Sequence, residues 1–258
     1  MTMYPTMINL YIFCIGMCVG SFLNVCIYRL PAGKSIVRPA SACPVCGNTI
    51  RWYDNIPLFS YIILRGRCRG CNTPISLRYP IIEILCGLFA MAIGMHYGYS
   101  LPALIYFILI AALLVITFID IDHRIIPDVI SLSGIPLGFL ASFLLPQLKW
   151  SDSLIGIAAG GGSLLAVAWG YQLITGKDGM GGGDIKLLAM IGAFLGWKGV
   201  LFTLMASSLI GTAVGIVVMM RSGKGMKMAV PFGPFLSMGA IIYIFLGPQL
   251  IEWYFNFI

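Results

Sequence analysis

The sequence predicts an all-α polytopic membrane protein with about eight transmembrane helices and a zinc-ribbon-like cytoplasmic loop. Of the 258 residues, 59% are hydrophobic and only 10% are charged, whereas soluble domains carry roughly a quarter charged residues. Long apolar runs recur along the chain, most of them near the ~20 residues that cross a bilayer as a helix. The predicted spans are 7–28, 79–98, 101–119, 128–147, 153–174, 185–197, 199–220 and 231–254.

Two of these spans need separate justification. The first is kept as a membrane helix because it is too long, and too weakly basic at its start, for a cleaved signal peptide. The sixth has only 13 residues, so we expect it to be tilted, re-entrant or continuous with the glycine-rich segment before it. The predicted domains are the first transmembrane helix at 1–28, a loop at 29–78 and a membrane domain at 79–258.

The basic residues predict that the N-terminus lies outside and the 29–78 loop lies in the cytoplasm. Cytoplasmic segments of membrane proteins carry an excess of Lys and Arg. Eight spans threaded from an outside N-terminus place 14 of the 16 Lys and Arg inside and leave only Lys149 and Lys198 outside. The net charge of +7 therefore indicates topology and contact with anionic lipid, and not nucleic-acid binding.

The 29–78 loop contains two C-x-x-C pairs that predict a metal site. Cys43 and Cys46 are separated by 21 residues from Cys68 and Cys71, a spacing that matches a structural zinc held by four thiolates. Disulfides are the alternative, but cytosolic thiols stay reduced. A zinc ribbon that binds nucleic acid is a third interpretation, which the short loop tethered at both ends disfavours. Gly47 and Gly70 suit the tight turns that such sites need.

Two acidic residues lie at the edges of apolar runs. Asp120 closes the run 101–119, and Asp184 opens another after Gly181, Gly182 and Gly183. Because an ionisable group at the hydrocarbon edge costs about 3 kcal/mol, it is usually functional. In the predicted orientation both acids lie at the cytoplasmic boundary. A carboxylate dyad there can share a proton and activate water for peptide hydrolysis, and the three glycines allow a peptide substrate to approach.

The neighbouring acids have simpler interpretations. Asp128 suits the first turn of a helix, Asp122 is an interfacial partner of a nearby arginine, and Asp178 is a solvated loop acid. Considered by itself, Asp184 is explained equally well as a helix cap or as a catalytic acid. The catalytic interpretation is favoured because Asp184 lies at the same depth in the membrane and on the same side as Asp120. Lys186 is expected to pair with a carboxylate or a lipid phosphate.

Two other functions fit parts of the sequence. A transporter would use Asp120 and Asp184 as an ion relay and the glycines as a helix break, but no convincing inverted repeat accompanies them. A membrane-anchored zinc adaptor would explain the cysteines and leave the two acids without a role. Neither histidine has the partners of a serine or cysteine triad.

Several sequence blocks occur together in one order. They are GSFLNVCIYRLP at 20–31, the two cysteine pairs with NIP at 55–57 between them, RYPIIE at 78–83, DIDHRIIPD at 120–128, GGGDIK at 181–186 and PFGP at 231–234. In these blocks the chain resembles the bacterial type IV prepilin peptidases, which are membrane aspartic proteases with a GxGD motif. Each block alone is weak evidence, whereas the set is specific and covers nearly the whole chain.

The resemblance implies that Asp120 and Asp184 are the catalytic aspartates of a peptidase domain at 79–258 in the bacterial inner membrane. It implies cleavage of the basic leader of type IV prepilins or type II secretion pseudopilins. It also implies methylation of the new N-terminal amine with S-adenosylmethionine, and a peptidase without this second activity is the nearest alternative. The sequence has no recognisable cofactor loop. Glu83 is a candidate contact for the methyl donor, or equally a partner of Arg78.

Overall fold

The computed structural model describes residues 3–176, 181–222 and 231–257, and these residues form helices joined by loops. Asp178, expected to be a solvated loop acid, lies outside the described residues. A 3-10 turn at Trp52–Asn55 precedes the second helix. The helices are α1 Met3–Arg29, α2 Phe59–Ile63, α3 Arg78–Tyr97, α4 Leu101–His123, α5 Asp128–Ala141, α6 Trp150–Thr175, α7 Gly182–Ser222 and α8 Gly233–Phe257.

The predicted all-α membrane fold is confirmed. Five helices in the described part of the chain are long and apolar enough to cross a membrane, namely Thr6–Arg29, Arg78–Tyr97, Leu101–His123, Trp150–Thr175 and Gly182–Arg221. Asp128–Ala141 and the described stretch Gly233–Gly247 are shorter apolar helices. Every predicted span therefore coincides with an apolar helical segment.

The predicted span 128–147 is too long, because α5 ends at Ala141 and turns follow it. The Ser142 hydroxyl donates a hydrogen bond of 2.6 Å to the carbonyl of Phe139, a local bond that competes with helix continuation. Pro146 then has no amide to offer to a further helical turn. The apolar residues after Ala141 thus continue the hydrophobic pattern without continuing the helix.

Helix α7 consists of two segments joined at Gly196. This glycine has φ 70° and ψ −179°, which no helix interior adopts. A methyl group added to Gly192 would lie 2.9 Å from Cγ2 of Val200, although residues eight apart in a straight helix are separated by about 12 Å. The chain therefore turns back at Gly196, in agreement with the separate predicted spans 185–197 and 199–220. The first segment begins at Gly182, so it is continuous with the glycine-rich segment, which is one of the three arrangements expected for the sixth span.

The chain divides into two compact units, Met1–Ala111 and Ala112–Ile258. In the first unit, α1 and α3 pack through small residues. A methyl group added to Gly16 would lie 2.6 Å from Cβ of Ala90, and one added to Gly20 would lie 2.7 Å from Cα of Glu83. Glycines four residues apart give a membrane helix a flat face for this approach. The predicted domain boundaries at 28 and 78 stay a prediction.

In the second unit, α6 packs antiparallel to the first segment of α7 with the two backbones in contact. A methyl group on Gly160 would overlap the carbonyl of Leu188, and one on Gly156 would overlap the carbonyl of Gly192. The buried Ser153 hydroxyl donates a hydrogen bond of 2.7 Å to the carbonyl of Ala193. Such hydroxyl bonds between helices are stabilising in an apolar surrounding that offers no water.

Two further pairings set where the helices of this unit begin. Along α5, Gly134 contacts Met190 and Gly138 contacts Phe194, so α5 runs parallel to the first segment of α7. Along α8, Gly239 faces the backbone of Thr203, one of several contacts that make α8 antiparallel to the second segment. Since α7 turns back at Gly196, the starts of α5, α7 and α8 lie at one end of the unit.

Candidate functional site

Asp120 lies in the last turn of α4 and is buried, with 5% of its surface exposed. Its Oδ2 accepts a hydrogen bond of 3.0 Å from the backbone amide of Gly233, the first residue of α8. The first amides of a helix have no partner within the helix, and they carry its positive dipole end. The carboxylate of Asp120 therefore caps α8 across 113 residues of sequence.

Asp184 lies in the first turn of α7 and is half-buried. The start of α7 lies next to the start of α8, because methyl groups added to Gly183 and to Gly233 would both contact Ile126. The positive end of α7 favours a negative charge at this position. The structure thus brings together the two acids that the sequence paired only by depth and side.

Ile126 forms the apolar wall beside this pair of acids. A methyl group added to Gly183 would lie 2.9 Å from Cβ of Ile126, and one added to Gly233 would lie 3.3 Å from its Cδ1. Gly181 and Gly182, by contrast, have no neighbour within 4 Å of an added methyl group. The glycine-rich segment is therefore closely packed at its third residue and open at the first two, beside the acids.

An ion pair joins the starts of α5 and α7. Lys186 Nζ donates to both carboxylate oxygens of Asp128, at 2.8 and 2.9 Å. Asp128 begins α5, as its sequence context predicted, and the expectation that Lys186 pairs with a carboxylate is confirmed. The two side chains are 57% and 37% exposed, so the pair contributes about 0–1 kcal/mol to stability. Asp122, two residues after Asp120, is exposed.

Gly233 was missed as a site residue by the sequence reasoning, which noted PFGP at 231–234 only as part of a resemblance. The signal that points to it is local. Proline is favoured in the first turn of a helix, where its missing amide costs little, so Pro234 predicts a helix start. The free amide beside it predicts that something must cap that start. The sequence does not show that the cap is Asp120.

The four loop cysteines form a compact cluster. Their sulfur atoms all lie within 4.8 Å of one another, with 3.8 Å between Cys43 and Cys71 and 4.0 Å between Cys46 and Cys68. A tetrahedral zinc with Zn–S bonds of about 2.3 Å needs sulfurs about 3.8 Å apart, whereas a disulfide needs about 2.05 Å. The four cysteines can therefore hold a metal ion, and they are free thiols in this structure.

Each cysteine pair sits on a tight turn. The amide of Gly47 donates to the carbonyl of Cys43, and the amide of Asn72 donates to that of Cys68, both at 2.9 Å. Gly47 and Asn72 have φ of 70° and 56°, a region that glycine and asparagine tolerate best. Gly47 was expected to make its turn. In the second turn Asn72, and not Gly70, has the positive φ. Gly70 instead leaves room for the side chain of Asn48, since a methyl group added to Gly70 would lie 2.5 Å from Nδ2 of Asn48.

The turns also prepare two of the thiols for a metal. Backbone amides of Cys46 and Val45 lower the pKa of Cys43, and the hydroxyl and amide of Thr73 lower the pKa of Cys71 to about 6. The thiolate is the form that binds metal. At Cys46 the backbone amide of Asn48 lowers the pKa, whereas desolvation and the neighbouring sulfurs raise it. The net result is a pKa of about 11. A bound divalent cation would favour the thiolate of Cys46 against both effects.

Two acids hold the loop in place. Arg69 donates to both oxygens of Asp54, with Nη2–Oδ1 at 2.6 Å and Nε–Oδ2 at 2.9 Å, and these bonds lower the pKa of Asp54. Glu83 is buried, and its Oε2 accepts a hydrogen bond of 2.8 Å from the amide of Leu58. Glu83 therefore anchors the loop to α3, and its contact with the methyl donor or with Arg78 stays a prediction.

Two family models match the chain, in successive parts of the sequence. The family model described as the bacterial peptidase A24 N-terminal domain matches residues 14–97, and that of the type IV leader peptidase family matches residues 107–216. No solved structure matches the chain.

Three relatives with the name prepilin leader peptidase/N-methyltransferase illustrate the similarity. The protein from Pseudomonas putida is 38% identical over 92% of this chain and 90% of its own length. That from Pseudomonas aeruginosa is 36% identical over 94% and 92%, and that from Myxococcus xanthus is 41% identical over 83% and 64%. The chain therefore belongs to the type IV leader peptidase family, with the bacterial prepilin leader peptidase/N-methyltransferases.

Proposed function

We propose that this chain is a membrane aspartic endopeptidase that cleaves the basic leader of type IV prepilins, or of type II secretion pseudopilins, and then methylates the new N-terminal amine. The observation that carries the peptidase proposal is the placement of Asp120 at the start of α8 and of Asp184 at the start of α7, two helix starts that both contact Ile126. Family membership supports the substrate class, since the relatives are named for prepilin leaders.

In the proposed mechanism the two carboxyl groups share one proton, because two adjacent carboxylates cannot both ionise without strong repulsion. The ionised group takes a proton from water as the water oxygen attacks the scissile carbonyl. The protonated group donates a hydrogen bond to the carbonyl oxygen and then its proton to the leaving amine. The dyad acts as a pair, so neither role belongs to one aspartate alone.

Substitution of the dyad tests this proposal directly. Purified wild-type, Asp120→Asn and Asp184→Asn enzymes are incubated with a prepilin in lipid, and the product is identified by mass spectrometry. We expect wild type to cleave and both variants to lose cleavage while still inserting in the membrane. Asp122→Asn, on the same helix but exposed, is the matched control that should cleave normally. Substantial cleavage by Asp120→Asn would sink the assignment.

The substrate is expected to approach along the glycine-rich segment. Gly181 and Gly182 leave space beside the acids, and an extended peptide backbone can lie against a surface without side chains. We propose that these two glycines and Gly183 contact the leader at the scissile bond. The enzyme is proposed to lie in the inner membrane with its N-terminus outside, which places the dyad at the cytoplasmic boundary.

The methyl transfer is proposed to use S-adenosylmethionine, which supplies an electrophilic methyl group to the new amine, with one proton released. We propose that the 29–78 loop contributes to this activity and that its cysteine cluster holds a structural zinc. The close match between the sulfur separations and a zinc tetrahedron supports the metal. With four thiolate ligands the ion has no open position, so its role is to hold the loop together.

A Cys43→Ser enzyme tests whether the cysteine loop is needed for methylation but not for cleavage at the dyad. Metal content is measured by mass spectrometry of the purified protein, and cleavage and methylation are followed on one prepilin. We expect the variant to lose zinc and methylation while it keeps cleavage. Cys14→Ser, a substitution of an exposed cysteine outside the cluster, is the control that should keep zinc and both activities. Equal loss of cleavage and methylation would indicate a general folding defect instead.

A further inference from the structure

Helix α2 exposes an apolar face although it belongs to the polar loop. Phe59, Ile62 and Ile63 are 59%, 61% and 72% exposed. Residues three and four positions apart lie on one side of a helix, so these side chains form one patch. A contiguous apolar patch on a soluble surface usually marks contact with a protein or a membrane.

The opposite face of α2 is fastened, which prevents the helix from rotating to bury this patch. The Ser60 hydroxyl donates to the carbonyl of Tyr53 at 2.9 Å and accepts from the amide of Ile56 at 3.0 Å. The Tyr61 hydroxyl donates to the carbonyl of Ile75 at 3.4 Å. The exposure of Phe59, Ile62 and Ile63 is therefore built into the loop.

The position of α2 along α3 sets its depth. Helix α3 has 20 residues, a length of about 30 Å that matches the hydrocarbon thickness of a bilayer. The residue before α2, Leu58, bonds to Glu83, which lies about 7.5 Å along α3 from its first residue, Arg78. Leu58 has φ 61°, a conformation that a bulky residue keeps only when its surroundings hold it. Helix α2 thus begins beside the second turn of α3, at the end of α3 that follows the loop.

Two arginines extend the patch. Arg65 and Arg67 follow α2 directly and are both exposed. Guanidinium groups beside an apolar surface are suited to lipid phosphates at the membrane interface. The same charges would repel a basic leader peptide, so the chemistry of this surface fits a phospholipid better than the proposed substrate.

We propose that α2 is an interfacial helix of the cytoplasmic leaflet. Phe59, Ile62 and Ile63 insert among the upper acyl chains, and Arg65 and Arg67 bind headgroup phosphates. The chain continues from Arg67 into Cys68, so lipid docking fixes the height of the cysteine cluster above the bilayer. The loop is then held at the membrane surface by α2 as well as by α1 and α3.

Photo-crosslinking of the full chain tests this proposal. The photoreactive residue p-benzoylphenylalanine is placed at position 62, or at position 45 as the control, since Val45 is equally exposed but lies in the first cysteine turn. Each protein is irradiated in nanodiscs of phosphatidylcholine and phosphatidylglycerol, and adducts are mapped by mass spectrometry. We expect several-fold more phospholipid adducts at position 62 than at position 45. Equal yields, or crosslinks from position 62 only to residues 112–258, would overturn the proposal.

An Arg65→Gln, Arg67→Gln double variant tests the headgroup contacts. We expect the fraction of phosphatidylglycerol among the adducts at position 62 to fall toward its fraction in the nanodisc. An unchanged enrichment would overturn the arginine assignment. The metal content of the cysteine cluster, measured on the same samples, shows that the loop is still folded in both proteins.

Discussion

Asp120 is held by a backbone amide. The bond from Gly233 fixes one carboxylate oxygen, and a helix amide cannot change its charge or rotamer as a side-chain donor does. This is a simple way to orient a carboxyl group at the end of a membrane helix, where water is scarce and an unpaired polar group costs several kcal/mol. It also explains why position 233 has no room for a side chain.

Gly233→Ala tests this contact at the scale of one residue. The added methyl group would lie 2.6 Å from Oδ2 of Asp120, so the carboxyl group must move. Because a displacement of about 1 Å at a reacting group can cost on the order of 100-fold, we expect kcat for prepilin cleavage to fall by roughly that factor, with KM little changed. The measurement is steady-state cleavage of a prepilin in lipid.

Gly215→Ala is the matched control, because an added methyl group there has no neighbour within 4 Å. It should retain wild-type cleavage. Wild-type kcat in Gly233→Ala would show that the contact does not orient the catalytic group. A similar loss in both variants would instead reflect a general effect of glycine replacement on the membrane helices.

At the scale of the helices, glycine determines which faces approach. Backbone contact between α6 and the first segment of α7 occurs at Gly156, Gly160 and Gly192. Apolar side chains cannot drive helices together in lipid, because the acyl chains are equally apolar, so close backbone packing supplies the attraction. Since the first segment of α7 carries Asp184, this packing also places one of the two acids of the proposed dyad.

Gly156→Ala should destabilise the second unit. An added methyl group would overlap the carbonyl of Gly192, and overpacking of this kind costs about 1–3 kcal/mol. We expect a lower midpoint of thermal unfolding in detergent than that of wild type. Gly162→Ala, in the same helix but with open space around the added methyl group, should be neutral or slightly stabilising. A midpoint as high as that of Gly162→Ala would mean that α6 and α7 are not packed backbone to backbone.

For the whole molecule, the distribution of Lys and Arg predicts the orientation. An alkaline phosphatase that folds only outside the inner membrane, fused after Lys149, should be active, because that loop is predicted to lie outside. The same enzyme fused after Ser76 should be inactive, since the cysteine loop is predicted to lie in the cytoplasm. Activity of the fusion after Ser76 would reverse the proposed topology and place the dyad on the outer side.

The properties that the sequence determined are those carried by short-range pattern. Apolar length indicated the helices, C-x-x-C spacing indicated the metal cluster, and the position of Asp120 and Asp184 at the ends of apolar runs indicated a dyad at one boundary. The spans 185–197 and 199–220 predicted a break at Lys198, and the structure places it two residues earlier, at Gly196. The inferences about the helices and the cysteine cluster succeed because hydropathy and ligand spacing are properties of the local sequence, whereas the catalytic dyad stays a prediction.

Tertiary structure alone decided which residues distant in sequence contact each other. The contact between Gly233 and Asp120 spans 113 residues, and the anchoring of Leu58 by Glu83 spans 25. No local pattern encodes either contact, because each depends on which helices become neighbours and at what register. The end of α5 at Ala141 also depends on tertiary structure, since the apolar sequence continues past this residue. The same holds for the turn at Asn72, because this turn has no glycine at its position of positive φ.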